Sequence, residues 1–197
     1  MMMSAMAWAQ ETFSRVNLND PRRMRRLVQV GAQMATHVGQ SVSASCGGNK
    51  ALLRGAQRLL SSKALDFETL ERECCLSSLS QVRNSEGDIL ALCDTTSGSF
   101  RHAIEGLQGD LGGCAQARSH GFFAHSALLL ERESERPLGL GAQLCWQRPE
   151  QERGKRHQRK ERDYEDKESF KWQAVVELCR ERFAEQLARF VFVGDRE

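Results

Sequence analysis

The chain has no apolar run approaching the ~20 residues of a membrane span. Its start, Met1 to Trp8, has no basic segment followed by an apolar one, so neither a spanning helix nor a secretory leader is expected. No Cys-x-x-Cys pair occurs among Cys46, Cys74, Cys75, Cys93, Cys114, Cys145 and Cys179, and no cysteine pair precedes His120 and His125. A zinc finger is thereby disfavoured. The thiols read as reduced small hydrophobes of a cytoplasmic protein. There is no phosphate-cradling Gly-Lys-Ser loop and no Ser/His/Asp constellation. His37, His102, His120, His125 and His157 form no cluster, and His125, inside an apolar run, reads as a core residue.

Acid is scarce in one region. Between Arg15 and Lys63 nine Lys or Arg face a single acid, Asp20, although the whole chain of 197 residues carries a net charge of only +2. A basic N-terminal quarter on a near-neutral chain points to a localised site for a polyanion. With 27% charged and 40% apolar residues the chain is globular.

Residues 8–82 read as helical. Asn19-Asp20-Pro21 is a helix start, with a capping side chain followed by a proline where no N–H is missed. Met24, Leu27, Val28, Gly31, Met34, Ala35 and Val38 follow at helical spacing, and Gly39 ends the run. Further helices are expected over 50–60 and 66–82. Ser41–Gly48 between the first two is rich in Ser and Gly. From Asp88 the period changes. Strands are expected over 89–93, 97–102, 122–130 and 138–146, the last kinked by glycine, with a loop or hairpin connection over 106–121. Residues 148–171 carry nine basic and seven acidic residues and read as a charged linker or mobile insertion. Trp172, Val175, Val176, Cys179, Phe183 and Leu187 mark one face of a helix, and 188–193 a closing strand. The fold class is therefore α+β: an all-helical module over 1–82, then a mixed α/β core over 83–197.

Two groups of residues carry chemistry. Arg22, Arg23, Arg25 and Arg26 crowd the first turns of the helix that Pro21 opens. Cations are disfavoured at that end of the helix dipole, so an arriving anion best explains them, and guanidinium binds phosphate bidentately. Lys50, Arg54 and Arg58 follow at i, i+4, i+8 as one stripe on the next helix. The second group is acidic. Asp94 closes the apolar run Ile89–Cys93, and Asp195 closes Phe190–Gly194. A helix between the two strands permits a parallel crossover that sets them side by side. Paired carboxylates suit Mg2+ or Mn2+, and such metals serve phosphodiester chemistry.

Six ordered blocks carry a family resemblance: WAQETF…NLNDPRRMRRLVQVGAQMATHVGQSV over 8–42, CDTTSGSFRH over 93–102, GFFAHSALLLE over 121–131, PLGLGAQLCWQRP over 137–149, KESFKW over 167–172 and VGDRE over 193–197. The chain resembles the bacterial cut-and-paste transposases of the insertion-sequence-four family, most closely the transposon Tn-five type. The resemblance implies a helical domain that binds double-stranded transposon-end DNA, followed by a ribonuclease-H-like core with an Asp-Asp-Glu triad. Asp94 and Asp195 match the first two acids, which hold Mg2+ or Mn2+. Arg22, Arg23, Arg26, Lys50 and Arg58 match the DNA-binding positions.

In that family the third acid lies in a Tyr-Arg-Glu-Lys helix beyond residue 197. The expectation is thus an incomplete core whose cleavage and strand-transfer activity is lost. Such a chain acts as an N-terminal DNA-binding fragment, as a non-catalytic regulator of a full-length transposase, as one half of a split enzyme completed by a separately encoded C-terminal half, or as a decayed copy. Glu131, after the third strand, is the one upstream alternative for a third acid. The expected location is the bacterial cytoplasm, on the nucleoid when DNA-bound.

Overall fold

The computed structural model describes residues 3–100, 112–113, 120–147 and 163–194. They form an α+β protein of two compact units, residues 1–77 and 78–197, divided within one helix.

The first unit holds helices α1 (Ala5–Phe13), α2 (Pro21–Thr36), α3 (Val42–Ser45) and α4 (Lys50–Leu60), and most of α5 (Phe67–Arg83). Each start has its side-chain cap. Ser4, Asp20, Ser41 and Asn49 accept from backbone N–H groups in the first turns of α1 to α4, and Asp66 accepts from Thr69 N at 2.7 Å ahead of α5. These bonds satisfy donors that a helix start leaves unpaired. Ser41–Gly48, read from sequence only as a connection, contains the single turn α3. Val16, Leu18, Leu27, Val30, Cys46, Ala56 and Leu59 form the core. It fixes α2 against α4 and leaves their charged faces outward.

The second unit is a mixed sheet with helices. Its main strands are β1 (Ile89–Phe100), β3 (His120–Glu131), β4 (Pro137–Trp146) and β5 (Phe190–Gly194), in spatial order β4-β3-β1-β5. The short β2 (Gly112–Gly113) pairs with β3 at His120 and Gly121. β1, β3 and β4 are antiparallel neighbours, whereas β5 returns parallel to β1 after helix α6 (Phe170–Phe183) and a 3-10 stretch over Ala184–Arg189. Alternate residues of the sheet, Ile89, Ala91, Cys93, Ala127, Leu129 and Ala142, are buried with Val175, Cys179 and Phe183 of α6 in one core. β4 carries the expected irregularity: its register with β3 shifts twice, and Gly139 has φ +127.

Several sequence expectations need correction. Residues 89–93 and 97–102 were expected as separate strands, but Ile89 to Phe100 is one strand, paired throughout from Ile89↔Glu131 to Phe100↔His120. The polar stretch Thr95–Ser99 breaks the hydrophobic pattern without breaking the ladder, because backbone pairing does not depend on apolar side chains. α6 begins at Phe170, before the periodic residues, and β5 spans 190–194 rather than 188–193, because Ala184–Arg189 winds as 3-10 helix. Of the charged segment, residues 148–162 lie outside the described residues, and Tyr164–Asp166 forms a 3-10 turn. No helix among the described residues is long and apolar enough to cross a membrane.

Candidate functional site

The basic residues sit on α2 and α4. Arg22, Arg25 and Arg26 fall at i, i+3 and i+4, on one outward face of α2. The rest of its circumference buries Leu27, Val28, Val30 and Ala32. Arg23 lies to one side of that row, with its Nε 3.9 Å from the Asp20 carboxylate. On α4, Lys50, Arg54 and Arg58 are exposed, while Ala56 and Leu59 are buried. Among the described residues Arg22, Arg25, Arg26, Lys50, Arg54 and Arg58 form no ion pair. Six cations of one folded unit are thus left without carboxylate partners, and mutual repulsion opposes the arrangement unless an anion meets it.

The two rows touch. The Arg26 side chain crosses to α4, where its Cζ and Nε lie 2.7 Å from the point a Cβ on Gly55 would occupy. Of the five basic residues singled out by resemblance, Arg22, Arg23, Lys50 and Arg58 are exposed and Arg26 is half-buried. Arg25 and Arg54 complete the two rows. The signal that finds them is helical spacing alone.

In the second unit Asp94 is exposed and lies inside β1 rather than at its end. It does mark a boundary, because the parallel pairing of β1 with β5 finishes at Cys93↔Gly194. Asp94 follows Cys93, and Asp195, which lies outside the described residues with Glu197, follows Gly194. The Asp94 carboxylate has no hydrogen-bond or ion-pair partner among the described residues. No three His, Cys, Asp or Glu side chains gather there as a metal site among those residues either.

Glu131 is placed where it cannot join Asp94. It pairs opposite Ile89, whereas Asp94 pairs opposite Ser126. Five strand positions separate them, about 17 Å at ~3.4 Å per residue. Glu131 instead serves the β3–β4 turn. It accepts from Ser134 Oγ, from Arg136 Nε at 3.5 Å and from Glu86 N at 3.2 Å, and the Ser134 and Arg136 bonds hold its carboxyl below the usual range.

The sequence reading missed a polar cluster behind Asp94. Lys171 Nζ donates to Thr95 Oγ1 at 2.8 Å, and Thr95 Oγ1 hydrogen-bonds His125 Nδ1 at 2.9 Å. The Lys171 ammonium stands 5.8 Å from the Trp146 ring centre and 5.5 Å from that of Trp172. Trp172 meets His125 edge-on at 4.6 Å and covers Gly194, where any side chain would collide with its ring. His125 is fully buried, as a core residue was expected to be. No spacing rule joins residues 95, 125 and 171, so only the folded sheet reveals them.

Residues 5–65 match the family model described as transposase DNA-binding. The matched segment spans α1 to α4 and contains every basic residue of both rows. The chain therefore carries a transposase-type DNA-binding domain, a domain of transposon-related DNA binding, at residues 5–65.

Proposed function

We propose that the chain binds the ends of a transposon as duplex DNA, with the Arg22–Arg25–Arg26 face of α2 and the Lys50–Arg54–Arg58 row of α4 lying along the phosphate backbone. The observation that carries this reading is the set of cations that have no ionic partner among the described residues, inside the segment that matches the DNA-binding family. Phosphates supply the missing counter-charges, and the guanidinium fork matches their geometry. Arg23, beside Asp20, contributes less, because part of its charge is already met.

By the resemblance, the sheet unit corresponds to the core that carries out metal-dependent DNA cleavage and strand transfer in full-length relatives, with Asp94 and Asp195 at the positions of its first two acids. Support comes from the mixed sheet, in which β5 returns parallel to β1 as the ribonuclease-H-like core implied by the resemblance requires, and from the register that ends one residue before each acid. Asp94 fits a hard divalent cation, since its exposed carboxylate has no competing partner among the described residues. Asp94 and Asp195 would hold Mg2+ or Mn2+, which supplies Lewis-acid stabilisation of charge on phosphoryl oxygens. The chain's own part is to fix the carboxylate on a rigid strand, with Lys171 and Thr95 bracing the sheet behind it.

The test is binding to a mixed-sequence duplex by fluorescence anisotropy across a salt series. Each phosphate contact contributes about −0.9 to the slope of log K against log salt. Replacing Arg22, Arg25 and Arg26 together with Ala should flatten that slope by two to three contacts' worth, on the order of −0.9 each. An unchanged slope would remove this function from α2.

A further inference from the structure

We infer that Gly55 is a positioning residue for DNA binding: it is the seat that holds the Arg26 guanidinium against α4 and so joins the two basic rows into one surface. This inference rests on the DNA-binding reading above. Gly55 is in the interior of α4, with Arg54 and Arg58 on the same helix. A mid-helix glycine is a poor helix former compared with alanine, so its presence asks for a reason in packing. The contact supplies one. A Cβ at position 55 would lie 2.7 Å from Arg26 Cζ, 2.7 Å from Nε and 3.1 Å from Cδ. The nearest atoms all belong to one side chain, and that side chain is the arginine.

Arg26 forms no ion pair or hydrogen bond among the described residues that could hold it by other means. Its half-buried position is therefore set by packing on the glycine. The seat fixes a long flexible side chain in advance, which lowers the ordering cost at binding. It suits a planar fork better than a lysine, whose ammonium is a compact point charge.

The colliding atoms are the far end of a flexible side chain, so Gly55→Ala displaces the guanidinium without breaking the core. The melting temperature of Gly55→Ala should equal or exceed that of the parent chain. Its affinity for a mixed-sequence duplex should nevertheless fall about fivefold, as in Arg26→Ala, for the loss of one charge-assisted contact. Gly55→Ala removes no charge, so a merely electrostatic or structural role predicts no such fall. In the Arg26→Ala background Gly55→Ala should have no further effect. Arg26→Lys is the second variant, since it leaves Gly55 in place; it should keep the charge yet lose affinity.

Parent-like binding by Gly55→Ala, multiplicative losses in the double variant, or parent-like binding by Arg26→Lys would each overturn the seat. Parent-like binding by Arg26→Ala would overturn both the seat and the assignment of Arg26 to DNA, and so separates the two failures.

Discussion

Lys171 Nζ donates a hydrogen bond to Thr95 Oγ1 at 2.8 Å, tying the first turn of α6 to β1 one residue past Asp94. Side chains alternate across a strand, so Thr95 points to the α6 side while Asp94 points away. The bond braces Asp94 from behind. Replacing Lys171 with Met keeps the stem that lies near Trp146 and Trp172 but removes the donor. The second unit should then lose about 1.5–3 kcal/mol, the range for a hydrogen bond to a charged group. Urea unfolding monitored by tryptophan fluorescence checks it, because Trp146 and Trp172 both lie at the site.

Arg189 is the second brace. Its guanidinium donates to Gly87 O at 2.6 Å, Val82 O at 3.1 Å, Ser85 O at 2.9 Å, Ser85 Oγ at 3.0 Å and Gln186 Oε1 at 2.9 Å. Of these acceptors Val82 O belongs to the last turn of α5, where it also accepts from Ser85 N at 3.3 Å and from Ser85 Oγ at 2.8 Å. Arg189→Ala removes all five of these bonds and should destabilise the second unit by on the order of 3 kcal/mol. Arg189→Lys should recover little, because one ammonium cannot span five acceptors. Comparison of the two denaturation midpoints settles the point.

Acid should weaken both units. Asp66 has its carboxyl lowered below 3.8, first by the Thr69 backbone N–H and then by the Thr69 hydroxyl. Glu131 is lowered below 4.5, first by Ser134 and then by Arg136. A carboxyl whose folded value is depressed binds protons more readily when unfolded. Its contribution is present above the unfolded value and is lost as the pH falls through the folded one. Stability measured in urea should therefore decline below about pH 4.5. Asp66→Asn and Glu131→Gln should each show a shallower decline. Asp66 is exposed and Glu131 half-buried at the end of its strand, so the change from Asp66 is the smaller of the two.

Buried Cys93 and half-buried Cys74 should be slow to react. Burial pushes Cys93 up to about 11. Cys74 is also raised to about 11, first by burial and then by the charges of Glu71 and Glu73. The thiolate is the nucleophile, so at pH 8 these two should be modified roughly a hundredfold more slowly than ordinary thiols whose pKa is two units lower. Mass-spectrometric mapping of maleimide labelling, with and without denaturant, checks this. Rapid labelling of Cys93 in the folded chain would contradict its position under α6.

The helical unit was legible in the sequence because its signals are local. Asp20-Pro21 announces the start of α2, and the apolar spacing that follows defines its buried face. The sheet was legible less completely. The run Ile89–Cys93 signals a buried strand, but the polar residues Asp94–Thr96 make the strand expected from 97 read as a separate one; its continuity depends on pairing with the distant β3. The site divides the same way. The arginine and lysine rows follow from helical spacing, whereas Lys171, Thr95 and His125 are brought together by register and a crossover. The seat of Arg26 on Gly55 is likewise a contact between helices that no spacing encodes.

The central claim is that α2 and α4 present one basic surface to DNA. It is tested most directly by the salt dependence of duplex binding for the parent chain and for the variant with Ala at Arg22, Arg25, Arg26, Lys50, Arg54 and Arg58. The account predicts steep weakening of the parent with salt, about −0.9 in the log–log slope for each phosphate met, and near-complete loss of that slope in the variant. Equal slopes for the two proteins would contradict it.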